Sequence, residues 1–139
     1  MQVRASLSED KMRAHVELTC PSGAVATIVN DRHCALGYDQ RAEIFCEKGR
    51  VASDQLPPDP QAFFLERYAS AYKASLDDFL SRVVEGCQAP SVGVQDGLLA
   101  ALLARCADES VASGATVDVP SLPGGVCTDL GCSNCFSSN

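Results

Sequence analysis

The sequence has 139 residues, a formal net charge of −7, 46% hydrophobic residues and 6% aromatic residues without tryptophan. This length predicts a single domain, with a core that depends on Val, Leu, Ile and Ala rather than on large rings. The acidic balance and the scattered lysines and arginines argue against a nucleic-acid partner, because binding to phosphates requires clustered basic residues.

Membrane and secreted proteins are disfavoured by the order of the residues. Residues 1–13 are polar, without the apolar region of a signal peptide, and no apolar run approaches the length of a membrane span. We therefore expect no membrane partner and a cytoplasmic location. In that compartment the eight cysteines are expected to be reduced thiols. Cys20, Cys46 and Cys106 lie among apolar residues and are expected to be buried.

The first half of the chain has the patterns of β-strands. Residues 13–20 alternate apolar and polar side chains, which is the period of a half-buried strand. A turn signal at 21–23 and a second β-rich run over 24–30 complete an antiparallel hairpin. A third strand is predicted over 41–47, and a short fourth over 50–53 after a turn.

The second half has the period of helices, after a proline-rich stretch at 54–60 that is predicted to be an extended linker. One amphipathic helix is predicted over roughly 62–86. Its apolar positions are Leu65, Tyr68, Tyr72, Leu76, Phe79, Leu80 and Val83. A second helix is predicted from about Val94 to Ser113, ended by Gly114 and followed by a short strand over 116–119.

Strands first and helices later predict an α+β fold, a mainly antiparallel open sheet with two long helices packed on one face. The predicted organisation is an N-terminal lead-in over 1–12, a domain over 13–119 and a tail over 120–139. The tail is rich in Ser, Gly, Pro, Asn and Cys, and we expect it to be disordered.

Three segments carry distinctive strings of residues. They are Asn30-Asp31-Arg32-His33 with Gly37-Tyr38-Asp39-Gln40-Arg41-Ala42-Glu43-Ile44-Phe45 and Glu47-Lys48-Gly49, then Phe63-Phe64-Leu65-Glu66-Arg67-Tyr68, and Asp96-Gly97-Leu98 with Gly114-Ala115-Thr116-Val117. In this order they resemble the C-terminal domain of the family that includes glucose-fructose oxidoreductase and inositol 2-dehydrogenase. The first two strings look like the inositol dehydrogenase branch, and the resemblance covers about residues 13–119.

The resemblance implies an NAD- or NADP-dependent dehydrogenase acting on polyols, in which a Rossmann domain binds the nucleotide. It also implies a catalytic lysine, aspartate and histidine that precede the part matched here. These 139 residues contain no Gly-x-Gly-x-x-Gly string, and His15 and His33 both follow the family's position for the histidine. We therefore assign no catalytic or cofactor-binding residue, and we expect the chain alone to bind no nucleotide and to be inactive.

The resemblance places four candidate substrate-binding residues in this chain. Tyr38 and Tyr68 correspond to tyrosines that face the polyol, where a phenol can pack on the ring and hydrogen-bond a hydroxyl. Ordinary packing of both rings is the alternative. Arg32 and Asn30 are weaker candidates, for which structural roles are the alternative. Asp39 and Arg41 lie on one side of a period-two element, where an ion pair is expected.

Departures from the family pattern are also visible. The stretch 54–60 stands where relatives have a longer segment with an extra strand or two, Gly93 replaces a better helix cap, and Leu36 replaces a frequent aromatic residue. Glu66 and Arg67 fit either a contact between subunits or a solvated helix face.

Three cysteines of the tail have a spacing that could bind a metal. Cys127, Cys132 and Cys135 have part of a ferredoxin spacing, but a cluster or structural zinc needs four ligands, so an unstructured tail is the alternative to metal binding.

Two functions from different classes remain open at this point. The chain is either the C-terminal, substrate-binding half of an oxidoreductase that works with a Rossmann-domain partner, or a stand-alone non-catalytic module. Both predict a homo-oligomer formed through the open sheet face.

Overall fold

The computed structural model describes residues 1–35, 37–53, 63–86 and 88–121. Its elements in chain order are β1 (Gln2–Leu7), β2 (Arg13–Thr19), β3 (Val25–Asp31), β4 (Ala42–Cys46), β5 (Gly49–Ser53), α1 (Phe64–Phe79) with a π-helical continuation (Leu80–Glu85), α2 (Val94–Ser113) and β6 (Val117–Asp118). The predicted linker at 54–60, Leu36 and the tail from residue 122 lie outside the described residues. None of the described helices combines the length and apolarity needed to span a bilayer.

The chain divides into two compact units. The first contains Met1–Arg32 and the described residues from Val92 onward, and the second contains His33–Ser91. The α+β class is confirmed, with antiparallel strand pairs and two helices. Of the two helices, α2 packs against the main sheet in the first unit, whereas α1 belongs to the second.

The first unit is built on a four-stranded sheet in the order β3-β2-β1-β6. Val3 pairs with both Leu18 and Val117, and Leu18 pairs in turn with Ala26. Directly opposed residues share a face, so this row is one apolar face of the sheet. The β2–β3 pair is the hairpin predicted from the sequence.

Strand β1 is the largest difference from the predicted elements, because residues 1–12 were expected to be a lead-in. The strand instead lies inside the sheet between β2 and β6, with Val3 and Ala5 buried. Val3, Ala5 and Leu7 alternate with polar neighbours, so a period-two signal exists. It is weak because alanine and serine contribute little to strand propensity, and pairing with β2 decides the outcome.

The core of the first unit lies between this sheet and α2. Its fully covered members are Val3, Leu18 and Cys106, and the helix adds Leu102 and Leu103. Cys20 is also buried, so the expectation of buried thiols is confirmed for Cys20 and Cys106. These side chains are all of small or medium size, as the scarcity of aromatic residues implied.

Both ends of α2 follow from local chemistry. At the start, the backbone N–H of Gly93 donates to the Asp96 carboxylate at 2.7 Å, which replaces the missing side-chain cap. At the end, Gly114 adopts φ 67°, and its N–H donates to the Ser110 carbonyl at 2.9 Å. This left-handed conformation suits glycine, so the predicted helix bounds are confirmed.

The second unit combines the β4–β5 hairpin with α1. The hairpin pairs Ile44 with Val51, and α1 continues to Glu85 through the π-helical segment. None of the residues of α1 is buried. The expectation that Cys46 is buried is wrong, because it ends a two-stranded hairpin that has no second layer of its own.

Candidate functional site

Three aromatic rings meet in the second unit, one directly after Gly37 and two near the start of α1. The Tyr38 ring lies edge-on to Tyr68, with centroids 6.3 Å apart and planes at 80°. It also lies 6.2 Å from Phe64 at 66°. Such edge-to-face geometry is favourable for aromatic pairs. The structure therefore brings the two predicted tyrosines together, although they are far apart in sequence.

Arg67 holds this arrangement in place. Its Nε donates to the Tyr38 carbonyl at 3.1 Å, and one terminal nitrogen donates to the Gln40 carbonyl at 3.4 Å. Its guanidinium carbon also lies 5.3 Å from the centre of the Tyr68 ring. The flat, multi-donor guanidinium is suited to bridging two carbonyls while resting on a ring. The sequence offered two possibilities for Arg67, and the structure shows contacts within its own unit.

The predicted Asp39–Arg41 ion pair is confirmed. Arg41 Nε lies 3.0 Å from both carboxylate oxygens, and a terminal nitrogen lies 2.8 Å from one of them. The Asp39 side chain is mostly covered while that of Arg41 is half exposed. The pair fixes the backbone between Tyr38 and β4.

A cavity of about 340 Å³ opens beside the aromatic cluster. It is lined by Gln40, Arg41, Ala42, Ser53, Arg67, Tyr68, Ser70 and Ala71. Most of these carry a hydroxyl, amide or guanidinium, which are groups that hydrogen-bond to neutral polar ligands.

Ser53 and Ser70 are residues of this cavity that the sequence did not indicate. Ser70 lies on α1 two residues after Tyr68. The β4–β5 register places Ser53 opposite Ala42, where its hydroxyl accepts the Ala42 N–H at 3.0 Å. A predicted helix face could have indicated Ser70, but only the strand pairing brings Ser53 to the cavity.

Asn30 and Arg32 belong to the first unit, Asn30 near the end of β3 and Arg32 just after it. Asn30 pairs with Ala14 across the sheet, and the Arg32 N–H donates to the Met12 carbonyl at 2.9 Å. The structure thus assigns their backbones to the sheet edge. Tyr38 and Tyr68 belong to the second unit, so the four candidates do not lie in one unit.

The π-helical end of α1 contains a second polar cluster. The Ser91 hydroxyl donates to the Asp78 carboxylate at 2.8 Å, and Arg82 Nε lies 2.9 Å from the same group. The Ser91 hydrogen bond and then Arg82 hold the pKa of Asp78 below its ordinary value. These contacts connect the end of the helix to the segment before α2. We assign Asp78 no role as a general base.

A larger concavity, of about 440 Å³, lies at the β1–β2 turn between Ser8, Glu9, Asp10 and Arg13. In this concavity Ser8 already bonds to Asp10, and Arg13 already pairs with Asp31. We prefer the smaller cavity because Tyr68, a member of the aromatic cluster, lines it.

No group of metal-binding side chains occurs among residues 1–35, 37–53, 63–86 and 88–121. Cys20, Cys34, Cys46 and Cys106 are free thiols. Cys127, Cys132 and Cys135 lie outside the described residues. In the same described ranges, no glycine-rich turn joins a strand to a helix as a dinucleotide site requires.

Two known proteins are similar in sequence to most of this chain. The myo-inositol 2-dehydrogenase of Thermotoga maritima is 38% identical over 112 residues, which are 70% of this chain and 33% of that protein. The oxidoreductase YrbE of Bacillus subtilis is 36% identical over 120 residues, which are 76% of this chain and 35% of that protein. The chain belongs to the glucose-fructose oxidoreductase/inositol 2-dehydrogenase family. Comparison with family profiles gives no match.

Solved structures agree with this membership in the inositol 2-dehydrogenase family. The myo-inositol dehydrogenase of Corynebacterium glutamicum superposes with a TM-score of 0.73 at 34% identity, covering 87% of this chain and 44% of that one. The fold matches the C-terminal domain of the family. The chain spans 33% to 36% of the length of the curated relatives it matches.

One more distant solved structure contains a bound cofactor. The scyllo-inositol dehydrogenase of Lactobacillus casei was solved with bound NAD(H) and scyllo-inositol. At 20% identity and a TM-score of 0.75, it shows only that the fold is shared.

Proposed function

We propose that this chain is the substrate-binding and self-associating C-terminal part of an NAD(P)-dependent dehydrogenase resembling inositol dehydrogenase, and that it is inactive alone. Membership of an oxidoreductase family is shared with the relatives described above. The ligand class we propose is a cyclic polyol, and the location we propose is the cytoplasm. The free thiols of the described residues agree with a reducing compartment.

The observation that carries the polyol proposal is the Tyr38–Tyr68 pair beside the polar cavity. Tyr38 is 45% exposed, so part of the residue remains accessible while Arg67 donates to its carbonyl. An exposed ring face packs on the C–H face of a cyclic polyol, and serine, glutamine and phenol groups hydrogen-bond its hydroxyls. The cavity thus offers both contacts that such a ligand needs.

The proposed inactivity of the chain alone is supported by what the cavity lacks. Its ionisable lining groups are two guanidiniums and a phenol, and the nearby Asp39 carboxylate is paired with Arg41. A guanidinium stays protonated, so neither arginine can take a proton from a substrate hydroxyl. The described residues also do not fit a dinucleotide. We therefore assign binding and orientation to this site, and leave proton and hydride transfer to groups outside it.

Tyrosine substitutions provide the test of polyol binding. Saturation-transfer NMR with myo-inositol on the full chain should show a signal that Tyr68→Phe and Tyr38→Phe each reduce severalfold, because each loses one hydroxyl contact. Tyr72→Phe is the matched control, since Tyr72 is an exposed tyrosine of α1 outside the cluster. Equal signals in all four proteins, or no signal in the unmodified chain, would contradict the proposal.

A stand-alone, non-catalytic oligomerisation module remains the second candidate. It is favoured by the second unit, where no residue of α1 or of the β4–β5 hairpin is buried. Binding of myo-inositol separates the two candidates, because an oligomerisation module needs none. Under both candidates we propose a homo-oligomer, with no nucleic-acid or membrane partner. A Rossmann-domain partner belongs to the first candidate alone.

A further inference from the structure

The residues of α1 that contact Tyr38 share one face of the helix. Phe64, Arg67 and Tyr68 are three and four positions apart, a spacing that places side chains next to one another on a helix. The Tyr38 ring lies edge-on to Phe64 and to Tyr68, and Arg67 donates to the Tyr38 carbonyl. One helix face thus contacts Tyr38 through its side chain and through its main chain.

The aromatic contacts by themselves do not fix the position of the Tyr38 ring. Edge-to-face pairs are favourable over a range of centroid distances, about 4.5–7 Å, so a ring can slide within such a contact. Tyr38 also takes no part in the β4–β5 pairing, which begins at Ala42. Its place beside α1 therefore depends on a further contact.

The Arg67 guanidinium supplies that contact. It donates to the Tyr38 carbonyl at 3.1 Å and to the Gln40 carbonyl at 3.4 Å, and its carbon lies 5.3 Å from the centre of the Tyr68 ring. Hydrogen bonds from a cation are stronger than those between neutral groups. Two acceptors in one segment fix its direction as well as its position, because a single hydrogen bond would let the segment pivot.

The other arginine that lines the cavity makes a more local contact. Arg41 pairs with Asp39, which lies two residues away in the same segment. Arg67 instead lies on α1, and its two acceptors are 29 and 27 positions away along the chain. Of the two arginines, Arg67 is therefore the one that connects this segment to the helix.

We propose that Arg67 is a positioning residue of the polyol site, which holds the Tyr38 and Tyr68 rings in the arrangement that binds the ligand. This inference rests on the proposed polyol function. Arg67 acts through the two tyrosines, and the shape of the guanidinium matters as well as its charge. Lysine has the same charge on a single nitrogen, without the planar fork that bridges two carbonyls and rests on a ring.

Nuclear Overhauser contacts between tyrosine rings test the positioning in the full chain without ligand. The chain has three tyrosines, which single Tyr→Phe variants assign. The unmodified chain should show a contact between the Tyr38 and Tyr68 rings, and Arg67→Gln and Arg67→Lys should each lose it. Arg82→Gln is the matched control and should retain the contact, because Arg82 bonds to Asp78 near the other end of the helix.

The amide signals of the β4–β5 hairpin, in the same unit, provide the folding control. They should be unchanged in both variants of Arg67, because no pairing between these strands involves that residue. Loss of the hairpin signals together with the ring contact would show a general structural role for Arg67 and would contradict the proposal.

Myo-inositol affinity, from saturation-transfer titrations of the full chain, tests whether Arg67 acts through the tyrosines. Arg67→Gln should weaken binding roughly fivefold, and Arg82→Gln should leave it unchanged. In the Tyr38→Phe background the loss caused by Arg67→Gln should fall to about twofold, because one hydroxyl that Arg67 positions is already absent. A direct contact between Arg67 and the ligand would give the same loss in both backgrounds.

Three results would overturn the proposal. They are a ring contact that persists in Arg67→Gln, a full recovery of contact and affinity in Arg67→Lys, and equal losses of affinity in the two backgrounds. Failure of the polyol function has a different signature, which is an unmodified chain without a myo-inositol signal. The ring contact is measured without ligand, so it reports on Arg67 in that case as well.

Discussion

At the scale of single residues, Ser110 links three parts of the first unit. Its hydroxyl accepts the Ala5 N–H from β1 at 3.0 Å and donates to the Ala115 carbonyl at 2.6 Å. The side chain is completely buried. One hydroxyl thereby joins α2 to the middle of the sheet and to the segment that leads into β6.

Replacement of Ser110 by alanine is expected to lower the free energy of unfolding by about 1–3 kcal/mol, because the buried Ala5 N–H loses its acceptor and the Ala115 carbonyl loses its donor. Urea unfolding followed by circular dichroism measures this. Ser6→Ala is the control, since Ser6 is exposed on β1, and a change within about 0.5 kcal/mol is expected there. Equal effects of the two substitutions would show that the Ser110 bridge contributes little.

Predictability at this scale depended on separation along the chain. The Asp39–Arg41 pair could be predicted because alternation along an extended segment places two residues on one side. The contact of Arg67 with the Tyr38 carbonyl could not, because it joins residues 29 positions apart. The grouping of Tyr38 with Tyr68 was anticipated only through family resemblance.

At the scale of elements, the ends of α2 matched prediction because capping is local. Gly114 adopts a left-handed conformation, and a Cβ added there would meet no atom within 4 Å. Any cost of a side chain at this position therefore comes from the backbone alone. Gly97, inside the first turns of the same helix, has equally open surroundings and no positive φ.

These two glycines should respond in opposite directions to alanine. Gly114→Ala is expected to destabilise the chain by about 1–2 kcal/mol through left-handed strain. Gly97→Ala is expected to stabilise it by about 0.5–1 kcal/mol through reduced freedom of the unfolded chain. Thermal unfolding of both variants is the measurement. A loss of stability in both would indicate crowding that the structure does not show.

Strands were less predictable than helices in this chain. The β2–β3 and β4–β5 hairpins have alternating or β-rich segments joined by short turns, and both were predicted. Strand β1 was not, because its small and polar residues gain strand structure only by pairing with β2. The exposure of Cys46 was missed for a related reason, since an apolar neighbourhood in sequence does not create a second layer.

At the scale of the whole molecule, the described residues match the C-terminal domain of the family, and we assign none of them to nucleotide binding. The relatives are about three times as long as the part matched here, so most of each relative has no counterpart in the matched part. The described elements contain one helix start capped by glycine, at Gly93, and its N–H already donates to Asp96.

We therefore expect the isolated chain to bind neither NAD nor NADP. Isothermal titration calorimetry with each nucleotide should give no heat of binding above dilution. The titration belongs beside the myo-inositol experiment, because a sample that binds the polyol is demonstrably folded. Micromolar nucleotide affinity would contradict the expectation and would require a phosphate site outside the described elements.

The sequence by itself determined the α+β class, both helices, two hairpins and the family, because each depends on local periodicity, turn chemistry or strings of neighbouring residues. Tertiary structure alone decided the place of β1 in the sheet and the hydrogen bonds of Ser110. It also decided the contacts of Arg67 with the Tyr38 and Gln40 carbonyls and the presence of Ser53 in the cavity. These features depend on which distant segments meet, and the free energy of such contacts is not encoded in any short window of the chain.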